Sequence, residues 1–155
     1  MTTFTLAFPG QGSQSVGMLA ELAAEFATVE ATFAEASEVL GYDLWQLVQQ
    51  GPAEELNKTF KTQPALLAAS VAIWRVWQEQ GGAAPVVMAG HSLGEYSALV
   101  CAGVIDFRDA VKLVELRGQL MQQAVPEGVG AMSAVIGLDD QAIADACSQA
   151  AQDEV

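Results

Sequence analysis

The chain has 155 residues, 52% hydrophobic and 16% charged, enough for one domain with its own core and too apolar for a disordered segment. Its net charge of −13, with only six Lys and Arg residues, argues against a nucleic-acid partner, because a phosphate backbone needs clustered positive charge. No apolar run reaches membrane-span length and residues 1–5 carry no leader-like pattern, so no membrane association is expected and a cytoplasmic protein is the default. Cys101 and Cys147 lie in dissimilar settings and are expected as reduced thiols. With His91 the single histidine, no metal constellation can be drawn.

Phe4, Leu6 and Phe8 alternate with Thr3, Thr5 and Ala7, which predicts an opening strand stopped by Pro9 and Gly10. The loop Gly10–Gly17 packs three glycines and two glutamines into eight residues. It lacks the Gly-Lys-Ser/Thr ending of a P-loop and the spacing of a dinucleotide fingerprint. Taken alone it reads as a flexible connector, with close backbone approach to a ligand as the alternative. From Met18 to Leu40, apolar residues at three- and four-residue steps predict amphipathic helices closed by Gly41. A short helical turn around Leu44, Trp45 and Leu47 ends at Gly51, and Pro52 can start another through Asn57. Thr62, Gln63 and Pro64 mark the start of a helix to about Gln80 that is apolar almost all round and therefore expected to be buried. Gln63, at its head, reads as a capping residue placed to reach a pocket.

Val86–Ala89 is a short apolar run of strand length. Gly90, His91, Ser92, Leu93 and Gly94 then spell G-x-S-x-G ahead of a helical run from Glu95 to Ala102. Strand, sharp turn and helix in that order lift a serine hydroxyl out of the sheet and set the next N–H at a helix N-terminus, so Ser92 is the candidate nucleophile. Asp106 caps a further helix whose apolar stripe runs through Phe107, Ala110, Val111, Val114 and Met121. Arg117 falls on that stripe. Its guanidinium needs a buried acid or a bound carboxylate, or it snorkels to water, and the residues alone leave both open. After a break over Pro126–Gly130, a strand over Met132–Ile136, a turn to Asp139 and a helix over Asp140–Ala151 begin a second unit. Two strands cannot build a covered parallel sheet, so the chain reads as part of something longer.

GQGSQ at Gly10–Gln14, TQPA around Gln63, GHSLGE at Gly90–Glu95 and LVELRGQLM around Arg117 together resemble the malonyl-CoA:acyl carrier protein transacylase family of bacterial fatty-acid synthesis. The resemblance covers the N-terminal half of the family's chain. It implies an α/β, hydrolase-like parallel sheet with helices on both faces, incomplete here, over residues 1–127. Residues 128–155 would be the first βα unit of a small ferredoxin-like subdomain. Carried over by motif, Ser92 forms the malonyl ester, Gln11 and the Leu93 N–H form the oxyanion hole, Arg117 grips the malonate carboxylate, and Gln63 lines the same pocket.

The implied reaction is ping-pong malonyl transfer from malonyl-CoA to the thiol of acyl carrier protein, with no cofactor and no metal. The family's general-base histidine lies beyond the position matching Val155, and His91, adjacent to Ser92, is not expected to replace it. These 155 residues are therefore expected to be inactive without the family's C-terminal half. Two rivals are a serine esterase or thioesterase, which has no need of Arg117 or GQGSQ, and an inactive fragment that only binds acyl-CoA or a partner.

Overall fold

The computed structural model describes residues 3–124 and 135–151. β1 (Thr5–Phe8) and β2 (Val87–Gly90) pair in parallel, with Thr5 opposite Val87 and Phe8 opposite Gly90. A parallel pair requires a crossover. Here it is α1 (Ala20–Glu25), α2 (Ala27–Leu40), α3 (Leu44–Gln50), α4 (Ala53–Leu56) and α5 (Thr59–Glu79). α6 (Leu93–Cys101) follows β2 directly, and α7 (Phe107–Ala124) completes the first of two compact units, Met1–Ala124. The result is helix-rich with a small parallel sheet, consistent with an incomplete α/β fold.

The core lies among the helices. Val29, Phe33 and Ala36 of α2, Leu44 and Val48 of α3, Ala65, Leu67 and Ala68 of α5, and Ala110, Val111 and Val114 of α7 are fully buried together. An ion pair ties three of these helices at one edge: Arg75 Nη1 lies 2.8 Å from Glu35 Oε2 and 3.1 Å from Thr32 Oγ1, and its guanidinium rests 4.9 Å from the Phe107 ring centroid. Two caps match the sequence pattern: Gly41 ends α2 at φ 75°, and Asp106 Oδ1 accepts from the Arg108 and Asp109 amides at the head of α7. Cys101 and Cys147 are both free thiols, and burial pushes Cys101 up to about 12. No helix among the described residues is long and apolar enough to cross a membrane.

α5 departs from its sequence reading in two ways. It starts at Thr59, not at Thr62–Pro64, because the Lys58 carbonyl already accepts from the Lys61 and Thr62 amides at 2.7 and 2.8 Å. Pro64 therefore lies inside the helix, where it costs one intrahelical bond, and Gln63 is a fully buried interior residue, not a cap. Nor is α5 covered all round. Ile73 and Trp77 are 49% and 44% exposed along a cleft of about 300 Å³ between α5 and β1. Smaller shifts follow from the turn geometry: α6 begins at Leu93, two residues before the predicted Glu95, because the Gly94 amide already bonds back to His91 O at 2.9 Å.

The second unit is Val125–Val155, in which α8 (Asp140–Ala151) starts at the predicted position, with Asp139 Oδ1 accepting from the Ala142 amide. The predicted break over Pro126–Gly130 and the strand residues Met132–Ala134 lie outside the described residues. Val135 and Ile136, the end of that strand, are in none, since the described part of this unit offers no strand to pair with. Ile143 is half-buried, whereas Ala146 and Cys147 are exposed, so the predicted apolar side of α8 is not covered.

Gly118 sets how closely α7 approaches α5: a Cβ there would sit 2.4 Å from Phe60 Cα and 2.7 Å from its amide nitrogen. Backbone cannot move aside as a side chain can. Gly118→Ala should cost about 1–3 kcal/mol, the range for overpacking a core, read as a lowered denaturation midpoint of the intact protein; an unchanged midpoint would contradict this packing.

Candidate active site

β1 and β2 run parallel, so the segments that follow them leave from the same end of the sheet, the end at which open α/β folds bind ligands. After β2 the chain turns sharply. Ser92 stands at φ 54°, ψ −107°, one of two non-glycine residues with positive φ among the described residues. A serine in that region is strained and persists only where its surroundings enforce it. They do so by proximity: a Cβ on Gly90 would lie 2.0 Å from the Gly94 carbonyl carbon, and one on Gly94 would lie 2.3 Å from Phe8 O. Strand, turn and helix thus touch backbone to backbone. Leu93 is the first residue of α6, so its N–H has no intrahelical acceptor.

α7 and α5 bring two more side chains to this turn. Arg117 Nη2 donates to Ser92 Oγ at 3.0 Å and Nη1 donates to Gln63 Oε1 at 2.6 Å. Gln63 Nε2 in turn donates to Met121 Sδ at 3.4 Å, and the guanidinium lies 5.6 Å from the centroid of the Tyr96 ring. Gln63 is fully buried, and Arg117 and Ser92 are half-buried. Arg117 makes no ion pair with any described acid, and its partners are all neutral. A partly desolvated guanidinium so placed keeps its positive charge for an anion.

The loop after β1 lies beside the turn. A Cβ on Gly10 would meet His91 O at 3.0 Å and His91 Nδ1 at 3.2 Å, so the His91 side chain rests over Gly10. The loop is also tied down, contrary to the flexible-connector reading. Gln11 Nε2 donates to Thr59 Oγ1 at 3.3 Å, Gln14 Nε2 to Asn57 Oδ1 at 2.8 Å, the Gly12 amide to Gln14 Oε1 and Ser13 Oγ to Gly10 O. The Gln11 amide is held on Thr59 and makes no bond to Ser92.

Of the residues singled out from sequence, Ser92, Leu93, Arg117 and Gln63 meet at one point, and Gln11 stands on the adjoining loop. Tyr96 and Met121 also reach this point, though neither stands among the site residues that the sequence points to. Each lies four residues beyond one that does, Ser92 and Arg117, and that helical spacing could have found them. No group of three or more His, Cys, Asp or Glu among the described residues could hold a metal ion.

The sequence profile of the acyl transferase domain matches residues 5–155. The malonyl CoA-acyl carrier protein transacylase of Salmonella typhimurium is 73% identical over 155 residues, all of this chain and 50% of that protein. A crystal structure of an acyl carrier protein S-malonyltransferase from Vibrio cholerae superposes with a TM-score of 0.90 at 74% identity, covering 98% of this chain and 50% of that one. A malonyl-transacylase solved in complex with a type II PKS acyl-carrier protein gives a TM-score of 0.95 at 72% identity over 99% of this chain and 50% of that one. The chain spans about half the length of the curated relatives it matches. By the profile match across nearly its whole length, the chain belongs to the acyl transferase domain family.

Proposed function

We propose that the chain carries the acyl-accepting half of a malonyl-CoA:acyl carrier protein transacylase. The observation that carries this is the Arg117 guanidinium, half-buried, neutral in all its contacts and bonded to Ser92 Oγ at 3.0 Å. An acyl group bound as an ester to Ser92 would bring a terminal carboxylate to that cation. Malonate fits, and the guanidinium's planar fork suits a carboxylate better than a lysine ammonium would.

In the first half-reaction Ser92 Oγ attacks the thioester carbonyl of malonyl-CoA, losing its proton to a base as the C–O bond forms. The oxygen of the tetrahedral intermediate is held by the Leu93 N–H, which the helix leaves without an acceptor, and by the Gln11 amide once it swings from Thr59. Collapse breaks the C–S bond and CoA leaves with a proton. In the second half-reaction the phosphopantetheine thiol of acyl carrier protein attacks the ester and regenerates Ser92. His91 faces Gly10 while Ser92 Oγ faces Arg117, which disfavours His91 as the base; the family resemblance implies instead a histidine from the part of the longer relatives that this chain does not span. The reaction needs no cofactor and would run in the cytoplasm. The same reading makes 1–127 the start of a hydrolase-like subdomain with helices on both sheet faces, and 128–155 the start of a ferredoxin-like one.

Arg117→Ala in the intact protein should lower the preference for malonyl-CoA over acetyl-CoA by tenfold or more, since a charge-assisted bond is worth about 1.5–3 kcal/mol. Equal losses for both thioesters would remove the carboxylate role. Gln11→Ala should slow acylation in single-turnover kinetics while leaving substrate Kd nearly unchanged, because the oxyanion exists only along the reaction path. An unchanged acylation rate would return the Gly10–Gly17 loop to a structural part.

A further inference from the structure

We infer that Gln63 and Tyr96 are positioning residues that fix the plane of the Arg117 guanidinium, and that this fixed, un-neutralised plane sets the preference for an acyl group bearing a carboxylate. The inference deepens the malonyl-transfer reading and rests on it. An arginine reaches its ligand through a long flexible stem, and a bidentate grip on a carboxylate demands that the fork be held in one plane. Three contacts hold it here: Gln63 from α5 at 2.6 Å, Ser92 from the turn at 3.0 Å, and the Tyr96 ring of α6 at 5.6 Å from the guanidinium carbon. A guanidinium has only donors, so the amide oxygen of Gln63 must face it, and the amide nitrogen is occupied by Met121 Sδ at 3.4 Å. That leaves the Gln63 side chain a single orientation in a fully buried setting.

Both positioning groups are uncharged. A carboxylate at position 63 would hold the fork equally well but would cancel the charge that the substrate is to meet. An amide and an aromatic face orient the cation, the ring within cation–π reach, and leave its charge available. Neither residue bonds to Ser92 Oγ, so both act through Arg117.

The test uses the intact protein carrying Gln63→Leu, Gln63→Glu, Tyr96→Leu or Tyr96→Phe, each also combined with Arg117→Ala. Two quantities are read: the ratio of kcat/KM for malonyl-CoA to that for acetyl-CoA, and the rotation rate of the Arg117 guanidinium by arginine side-chain NMR. Gln63→Leu should speed the rotation and cut the malonyl preference about tenfold, the scale of one charge-assisted bond, chiefly through a raised KM for malonyl-CoA. Gln63→Glu should keep the rotation slow and still lose the preference. Tyr96→Leu should act like a milder Gln63→Leu, and Tyr96→Phe, which keeps the ring face, should restore the wild-type values. None of the four should alter the ratio further once Arg117 is alanine. If Arg117→Ala abolishes the malonyl preference but Gln63→Leu leaves it and the rotation intact, this inference fails while the malonyl reading stands. Should Arg117→Ala itself leave the preference intact, the malonyl reading fails and takes the inference with it.

Discussion

The structure depends first on backbone touching backbone at the turn that holds Ser92. A Cβ on Gly90 would fall 2.0 Å from the Gly94 carbonyl carbon, and one on Gly94 would fall 2.3 Å from Phe8 O. No other residue type permits both approaches at once. Because β1, β2 and the head of α6 are pressed together there, the loop after β1 comes to rest beside the turn after β2, with Gly10 against His91. The strained dihedrals of Ser92 follow from the same constraint, as does the position of the Leu93 amide at the first turn of α6, where no intrahelical carbonyl can accept from it.

A second close approach carries the remaining chemistry to that point. α7 lies near enough to α5 that a Cβ on Gly118 would run into the backbone of Thr59 and Phe60, and the residue before it is Arg117. The separation that admits no Cβ at 118 is therefore the separation at which Arg117 Nη1 meets Gln63 Oε1 at 2.6 Å. Arg75, the other half-buried arginine, shows the contrast. It is paired with Glu35 and serves the packing of α2 against α5, whereas Arg117 finds only neutral groups. Pairing with an acid spends a cation on structure; neutral contacts keep it for a ligand.

Much of this was legible in the chain because it is written in short-range pattern. G-x-S-x-G between an apolar run and a helical run gives the turn at Ser92, and the three- and four-residue spacing of Ala110, Val114 and Met121 places Arg117 on their face. The α5 start is not legible in the chain, because Pro64 resembles a first-turn proline while the Lys58 carbonyl that begins the helix six residues earlier carries no sequence signal. Ile73 and Trp77 were expected inside, since hydropathy reports what a residue favours and not whether a neighbouring layer is present. The Gln63–Arg117 bond joins residues 54 apart on different helices, and no local pattern announces it. Residue roles at the site came from family resemblance rather than spacing, as did the substrate.

Malonyl transfer as proposed requires Ser92 to carry a malonyl group between two thiols. The most direct measurement is intact-protein and peptide mass spectrometry after brief exposure to malonyl-CoA, followed by addition of acyl carrier protein. A malonyl ester should form on the Ser92 peptide, be absent in Ser92→Ala, and be discharged onto the carrier thiol. Hydrolysis of malonyl-CoA with no ester on Ser92, or an adduct that the carrier protein does not remove, would contradict the proposed transfer.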